Sequence, residues 1–389
     1  MATRLENVTN LSPTWLRQAL WPQCNNHCAS DQPYLPQGPE LLIGGRGERL
    51  GRYHQYYTAL VKTYAAGAPS EERLLTTHEG LFTAIAQLKA NPRATKDEFC
   101  RLAFPRDDDE PPHDPVHLAQ AVSLVVRVML MIEPSTMHYL SYRLEKGTLQ
   151  VRWKADVPFC QYISDLFPAQ NDPIPSHARI TSKLRATKLK ESGVSFQPTH
   201  DIRNHLHFDR EEYVLEIFHH TAFLKEQLRA TKTGGNFSDP CASLAVGALP
   251  RQLVLELLHS VQIVLFALDD PESKDSDLLS SLVQSCGLDP DVLNFEFDSI
   301  RNFGEEHVPF VYLSARLSDL YREMENPAPR GWLGRVTERR SGARYMMMAT
   351  LVGVIFAVFL GMLSLAVSSY QTWIAYQAWQ HPISPGQSR

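Results

Sequence analysis

The residues best suited to chemistry are five histidines and two aspartates in a short stretch near the middle of the chain. The set comprises His200, His205, His207, His219 and His220 with Asp201 and Asp209. Imidazole nitrogens and carboxylate oxygens bind metal ions and transfer protons. If this stretch is extended, side chains alternate between faces, so His205 and His207 would share one face, as metal ligands must. The spacing does not show that the separate histidine clusters meet, so the sequence alone assigns them no metal ion and no catalytic role.

Three other motifs are similar to known sites but are incomplete. The pair His200-Asp201 resembles the ligands of metal-dependent phosphohydrolases, but the matching upstream His and downstream Asp cannot be assigned. The segment Cys24-Asn-Asn-His27-Cys28 is not followed by a second Cys or His pair at zinc-site spacing. The segment Ile43-Gly-Gly-Arg-Gly47 lacks the Lys-Ser/Thr of a P-loop and the spacing of a dinucleotide fingerprint, which indicates a turn. We therefore predict no cofactor and find no recognisable catalytic motif.

Composition excludes one class of partner. The chain has 389 residues with 38 Lys and Arg against 43 Asp and Glu, a formal net charge of −5. A nucleic-acid-binding protein needs basic residues in excess to neutralise phosphates, so we predict no nucleic-acid partner.

The six cysteines are spread along the chain and are expected as reduced thiols in a cytosolic protein.

Helical periodicity and proline-rich breaks divide the chain into regions. We predict an N-terminal helical region at 1–104, an acidic Pro-rich linker at 105–115 and an α-rich domain with β-hairpins at 116–325. Leu118–Ile132 is apolar but shorter than a membrane span and contains an arginine, which favours a buried core helix. A second membrane element is the alternative. Leu253–Leu268 has the clearest helical repeat of apolar residues.

Two segments between the helices predict β-hairpins. Residues 139–144 and 149–153 alternate between apolar and polar side chains around a short turn, and 206–208 and 213–218 do the same. The expected fold class is therefore a mainly α domain with a small β-hairpin insert, followed by one C-terminal transmembrane helix.

The apolar run from Met346 to Val367 is the membrane anchor that we predict. It contains no charged residue, and its length of roughly 20 residues matches what an α-helix needs to cross the hydrocarbon core. A basic juxtamembrane linker at 326–345 precedes it and a short tail at 368–389 follows. The tail begins with aromatic residues at helical spacing, which is typical of a membrane interface.

Charge asymmetry predicts the orientation of this single span. The residues before it carry an excess of arginines, which favours the cytosolic side for the N-terminal part; these are Arg330, Arg335, Arg339, Arg340 and Arg344. Residues 1–26 do not have the pattern of a signal peptide. We therefore expect a tail-anchored protein of the endoplasmic reticulum or the mitochondrial outer membrane, with glycosylation motifs at Asn7, Asn10 and Asn236 left unmodified.

Small residues line one side of the predicted span. Ala349, Gly353, Ala357 and Gly361 recur at every fourth position, which lets a second helix backbone approach closely. This pattern predicts a transmembrane homodimer. The alternative is that Gly and Ala are simply common in membrane helices.

Three segments in the last half of the chain carry a resemblance. Residues 199–206, 217–225 and 316–333 resemble a large group of uncharacterised filamentous-fungal proteins with a single C-terminal transmembrane helix. The resemblance implies the topology and the source, and it supplies no catalytic residue.

These observations favour an interaction or scaffold protein, with membrane lipids and a protein partner of the cytosolic domain as its contacts. The alternative is a membrane-associated accessory enzyme of a fungal specialised pathway that uses the His200–His220 region. The two differ in geometry. An enzyme should bring these histidines and an acid into one pocket, whereas a scaffold should expose an apolar groove.

Overall fold

The computed structural model describes residues 3–7, 11–25, 46–67, 69, 71–106, 112–134, 152–170, 183–232, 239–270, 273–305, 308–325 and 344–380. The chain divides into two units, Met1–Glu325 and Asn326–Arg389.

The first unit is mainly helical, as predicted. Its α-helices are α1 (Pro13–Leu20), α2 (Arg46–Arg49), α3 (Gly51–Gly67), α4 (His78–Ala90), α5 (Lys96–Ala103), α6 (Pro115–Leu130), α7 (Phe159–Leu166), α8 (Ala186–Glu191), α9 (Thr221–Ala230), α10 (Pro240–Ala245), α11 (Arg251–His259), α12 (Asp275–Cys286) and α13 (Ser314–Glu325). Short 3₁₀ turns lie at Pro22–Asn25, Ile202–Asn204 and Pro290–Leu293, and α11 continues as a π-helical segment at Ser260–Leu265.

Side-chain caps define where helices begin. The Thr95 hydroxyl accepts a hydrogen bond from the Glu98 amide, and the Glu98 carboxylate accepts one from the Thr95 amide, so α5 starts with a capping box. Asp114 caps α6 by accepting from the Val116 amide, with Pro115 in the first turn. These contacts satisfy amides that have no partner within the helix.

The apolar stretch Leu118–Ile132 is a buried core helix, as expected. It corresponds to α6, in which Val125, Val126 and Val128 are completely buried within the hydrophobic core of the unit. The protein core therefore already shields these side chains from water, so α6 does not require a surrounding bilayer.

Aromatic residues join the N-terminal helices to the later ones. Tyr53 of α3 stacks on Phe223 of α9, with ring centroids 4.8 Å apart, and Trp21 contacts the same phenylalanine edge-on. The Tyr53 hydroxyl donates to the Val128 carbonyl, and the Trp21 indole donates to the Gly247 carbonyl. The core therefore extends across the linker that the sequence predicts at 105–115.

A three-stranded sheet lies between α8 and α9 in the chain. Its strands are β1 (Ser195–Thr199), β2 (Phe208–Asp209) and β3 (Val214–Phe218), in the order β1-β3-β2. The antiparallel β2–β3 pair confirms the second predicted hairpin, whereas the first hairpin falls almost wholly outside the described residues.

Parallel pairing of β1 with β3 is the feature that the sequence did not predict. Thr199 lies opposite Phe218 at the carboxyl ends of the two strands. The residues that follow these two strands therefore emerge side by side.

The second unit contains α14 (Arg344–Gln380), which is longer than the predicted span. Its residues Leu351–Gln380 carry no charge and are exposed, and an 18-residue window within them has a mean hydropathy of 2.5. At 1.5 Å per residue these 30 residues extend about 45 Å, which is enough to cross a bilayer and its interfaces. The aromatic side chains of the predicted tail continue on the same helix and are exposed, namely Tyr370, Trp373, Tyr376 and Trp379.

Candidate functional site

Three histidines meet where the parallel strands end. His200 follows β1 directly, and His219 and His220 follow β3 and precede α9. The ring centroids are 4.1 Å apart for His219 and His220, 5.0 Å for His200 and His220, and 5.2 Å for His200 and His219. One nitrogen from each ring belongs to a set whose members all lie within 4.8 Å of one another. We call these three residues the histidine cluster.

Hydrogen bonds determine part of the protonation pattern in the cluster. His200 Nδ1 and His220 Nε2 share a hydrogen bond of 2.7 Å. His219 Nδ1 accepts from the Asp289 amide at 2.9 Å. Because an amide can only donate, the neutral His219 ring must carry its own proton on Nε2.

Two nitrogens of the cluster are buried without a partner among the described residues. They are His219 Nε2 and His220 Nδ1. The Oδ2 atom of Asp289, whose amide contacts His219, is also buried without a hydrogen-bond partner among the described residues. Buried polar atoms are normally hydrogen-bonded, and each one left without a partner costs about 1–3 kcal/mol. Such atoms mark a place where a ligand, an ion or water would supply the missing contact.

Burial keeps the cluster uncharged at neutral pH. Burial lowers the pKa of His219 to about 3, with the charge of Arg52 and the neighbouring His200 adding to the effect. Burial also lowers the pKa of His220 well below its usual range, and that of His200 to a smaller extent, with Arg127 adding to the effect on His200. Each neutral imidazole keeps one nitrogen lone pair, which metal binding and proton acceptance both require; in His219 this lone pair accepts from the Asp289 amide.

The burial of the three rings defines one direction of solvent access. His219 and His220 are buried, whereas His200 is exposed. The ring of Tyr56, on α3, lies beside His200 and His220 with centroids 5.2 and 5.8 Å away. Solvent therefore reaches the cluster through His200, which can exchange protons or ions with water.

The backbone beneath the cluster is held by a buried charge pair. Lys225 of α9 lies 2.6 Å from the Asp291 carboxylate, which also accepts from the Thr221 hydroxyl at 3.0 Å. Burial, together with the Asp291 charge, raises the pKa of Asp289 to about 7 against the opposing effect of Lys225. The segment that donates to His219 is thus attached to the helix that follows His220.

The other two histidines of the sequence motif have structural roles. Neither His205 nor His207 lies in a strand, so the expectation that they share a strand face is wrong. His205 is fully buried and uses both nitrogens, one with the Ser260 hydroxyl at 2.7 Å and one with the Phe218 amide at 3.1 Å. His207 lies 3.4 Å from the Glu216 carboxylate. These contacts tie the sheet to the π-helical segment after α11.

Sequence reasoning named the right segment but missed two features of the site. The convergence of His200 with His219 depends on the parallel pairing of β1 and β3, which no local pattern reveals. Asp289 is 70 residues from His219 in the chain. Its only local signal is the sequence Asp289-Pro-Asp291, which caps a 3₁₀ turn.

The predicted membrane residues occupy the second unit. Arg344 is the first residue of α14, whereas Arg330, Arg335, Arg339 and Arg340 fall outside the described residues. The anchor residues all lie in α14, namely Met346, Gly353, Ala357, Gly361 and Val367. Within this chain a Cβ added to Gly353 or Gly361 would meet no atom within 4 Å.

No family model matches this chain, and no curated protein and no solved structure is significantly similar to it.

Proposed function

We propose that the chain is a tail-anchored, single-pass membrane protein whose α14 crosses the bilayer and whose 1–325 unit lies in the cytosol. The observation that carries the proposal is the surface of α14. From Leu351 to Gln380 its side chains are exposed and uncharged. A helix satisfies its own backbone hydrogen bonds, so hydrocarbon is a favourable surrounding for such a surface.

The orientation rests on the arginines that precede α14. Basic residues next to a span are retained on the cytosolic side and are attracted to anionic lipid headgroups by about 1 kcal/mol each. The membrane in this proposal is the endoplasmic reticulum or the mitochondrial outer membrane. The arginines concerned are Arg330, Arg335, Arg339, Arg340 and Arg344.

Two measurements on sealed membranes test this topology. Protease added from outside should digest the 1–325 unit and leave a small protected fragment that carries an epitope appended after Arg389. Truncation before Arg344 should release the protein from membranes washed with carbonate. A protected 1–325 unit with glycans at Asn7 or Asn236, or a truncated protein that stays in the membrane, would contradict the proposal.

The cytosolic unit has two candidate roles. We infer an interaction or scaffold role because the sequence contains no recognisable catalytic motif. Affinity purification of the intact protein from its own membranes tests this role. A stoichiometric protein partner supports it, and recovery of the protein alone contradicts it.

The second candidate role is a membrane-associated enzyme, which would fit an accessory step in a fungal specialised pathway. The observation in its favour is the convergence of His200, His219 and His220 beside Asp289. Among the described residues of the 1–325 unit, only Leu102 and Phe303 are large apolar side chains with high exposure. The described part of this unit therefore offers a polar site and exposes few large apolar side chains.

Metabolite profiling tests the enzyme role without knowledge of the substrate. Extracts of the source cells are incubated with the wild-type protein or with the His200→Gln variant, and the small molecules are compared by mass spectrometry. A compound consumed only by the wild-type protein supports catalysis at the cluster. Identical profiles contradict it.

A further inference from the structure

The histidine cluster combines two geometric properties that point to an ion. Three imidazole nitrogens lie within 4.8 Å of one another. Two nitrogens of the same rings are buried in side chains that are only 2% and 1% exposed, and neither has a hydrogen-bond partner among the described residues. A cation among the rings would give both atoms a partner, His220 Nδ1 where it carries no proton and His219 Nε2 once its proton has moved to Nδ1.

We propose that His200, His219 and His220 bind one divalent transition-metal ion of the zinc type. Imidazole is a preferred ligand of Zn²⁺ and of its neighbours Co²⁺, Ni²⁺ and Cu²⁺. Three protein ligands with an open fourth position are the arrangement of catalytic zinc sites. His200 is exposed, so the ion and a bound water reach the site from that side.

The rings move by a small distance when the ion binds. Ligand nitrogens of one tetrahedral zinc ion lie about 3.3 Å apart, given Zn–N bonds of about 2.0–2.1 Å. The separation of up to 4.8 Å in the cluster therefore shortens by at most about 1.5 Å. Side-chain rotation is sufficient for a change of this size.

Binding by His219 has a second consequence at Asp289. His219 Nδ1 accepts from the Asp289 amide, and the ring proton is on Nε2. If Nε2 becomes the ligand, the proton moves to Nδ1, which can no longer accept. If Nδ1 becomes the ligand, its lone pair is used by the metal. In both cases the Asp289 amide loses its acceptor, so metal binding should increase the rate of hydrogen exchange at this amide.

The experiment uses the full chain in mild detergent after treatment with a chelator. Zn²⁺ is titrated by calorimetry, and Co²⁺ is added as a spectroscopic probe of the ligand set. We expect one ion per chain, an absorption spectrum of tetrahedral nitrogen and oxygen ligation, and faster hydrogen exchange at Asp289. His200→Gln should weaken Zn²⁺ binding at least tenfold, since it removes a direct ligand, and exposed His200 can be replaced without disturbing the core.

His207→Gln is the matched control, because His207 is a neighbouring histidine outside the cluster whose ring lies 3.4 Å from the Glu216 carboxylate. It should bind Zn²⁺ as tightly as the wild-type protein. The proposal is overturned if the wild-type protein binds no stoichiometric ion, or if His200→Gln and His207→Gln bind equally. An intense thiolate-to-cobalt absorption would place the ion at cysteines and also overturn it. Unchanged exchange at Asp289 in the loaded protein would remove His219 from the ligand set and refute the three-histidine site.

Discussion

The buried pair Lys225–Asp291 should be among the most sensitive positions in the 1–325 unit. The two side chains are 1% and 2% exposed, and the Lys225 ammonium lies 2.6 Å from both the Asp291 carboxylate and the Asn294 carbonyl. Lys225→Met keeps most of the side-chain volume but removes the charge and the donors. Asp291 would then be a buried carboxylate without its counter-charge, which costs about 3–5 kcal/mol.

Thermal unfolding of the full chain in detergent measures this loss. Proteins gain roughly 2.1 cal/mol/K of unfolding entropy per residue, so for a unit of this size 3–5 kcal/mol corresponds to a decrease in Tm of about 4–7 °C. Tryptophan fluorescence reports the transition, because Trp21 and Trp153 are buried in the unit. The tryptophans of α14 are exposed in the native state and contribute a background that the substitution does not change.

Lys183→Met provides the control. Its ion pair with Glu325 has the same 2.6 Å distance, but the side chains are 47% and 40% exposed. Water screens such a pair, so its loss should cost no more than about 1 kcal/mol. Equal decreases in Tm for the two lysine variants would refute the reasoning from burial. The double variant Lys225→Met/Asp291→Asn should recover part of the loss, since it removes the uncompensated charge.

Three further predictions concern separate parts of the chain. Burial lowers the pKa of His205 to about 3, with Arg316 adding to the effect. Its pKa in the unfolded chain is about 6.5, so the unfolded state binds the extra proton and stability is lost as the pH falls below about 6.5. Protonation of this group alone should lower the free energy of unfolding by about 2 kcal/mol between pH 7 and pH 5. If the His205→Gln variant loses the same amount of stability over this pH range, His205 is not the group responsible. Burial raises the pKa of the Cys100 thiol to about 11, whereas Cys286 is exposed, so iodoacetamide at pH 8 should label Cys286 before Cys100. Equal labelling of these two thiols in the native protein would argue against this packing. Gly353→Ile should weaken self-association in a membrane two-hybrid assay, because a side chain there meets nothing within the chain itself, whereas Val354→Ile should not. Equal signals from both variants would exclude the transmembrane dimer at that face.

Local patterns in the sequence are sufficient to predict most helices and the anchor. α6 and α11 bury apolar residues at helical spacing, and that spacing is visible without any knowledge of neighbours. The antiparallel pair of β2 and β3 is also local, since only four residues separate the two strands. The absence of charged residues from Leu351 to Gln380 is a property of composition alone.

Non-local pairing explains what the sequence could not predict. β1 contains Pro198, which disfavours a strand, and it is accepted because β1 is an edge strand of the sheet. Its partner β3 lies beyond β2 in the chain, so neither hydrophobic periodicity nor a turn motif in the sequence indicates that the two strands pair. The convergence of His200 with His219 and His220 follows from that pairing, and their separation in the chain concealed it.

The aromatic residues of α14 have a consequence for the membranes that this anchor can occupy. Tyr370, Trp373, Tyr376 and Trp379 are each three positions apart, so successive rings descend by about 4.5 Å and turn by about 300° around the helix axis. An interfacial ring is therefore present at four depths over about 13.5 Å, on different sides of the helix. The helix can shift along the bilayer normal or tilt, and one of these rings still meets the headgroup layer. Hydrophobic mismatch is thereby reduced, and bilayers of about 27 Å and about 33 Å hydrocarbon thickness suit the anchor almost equally.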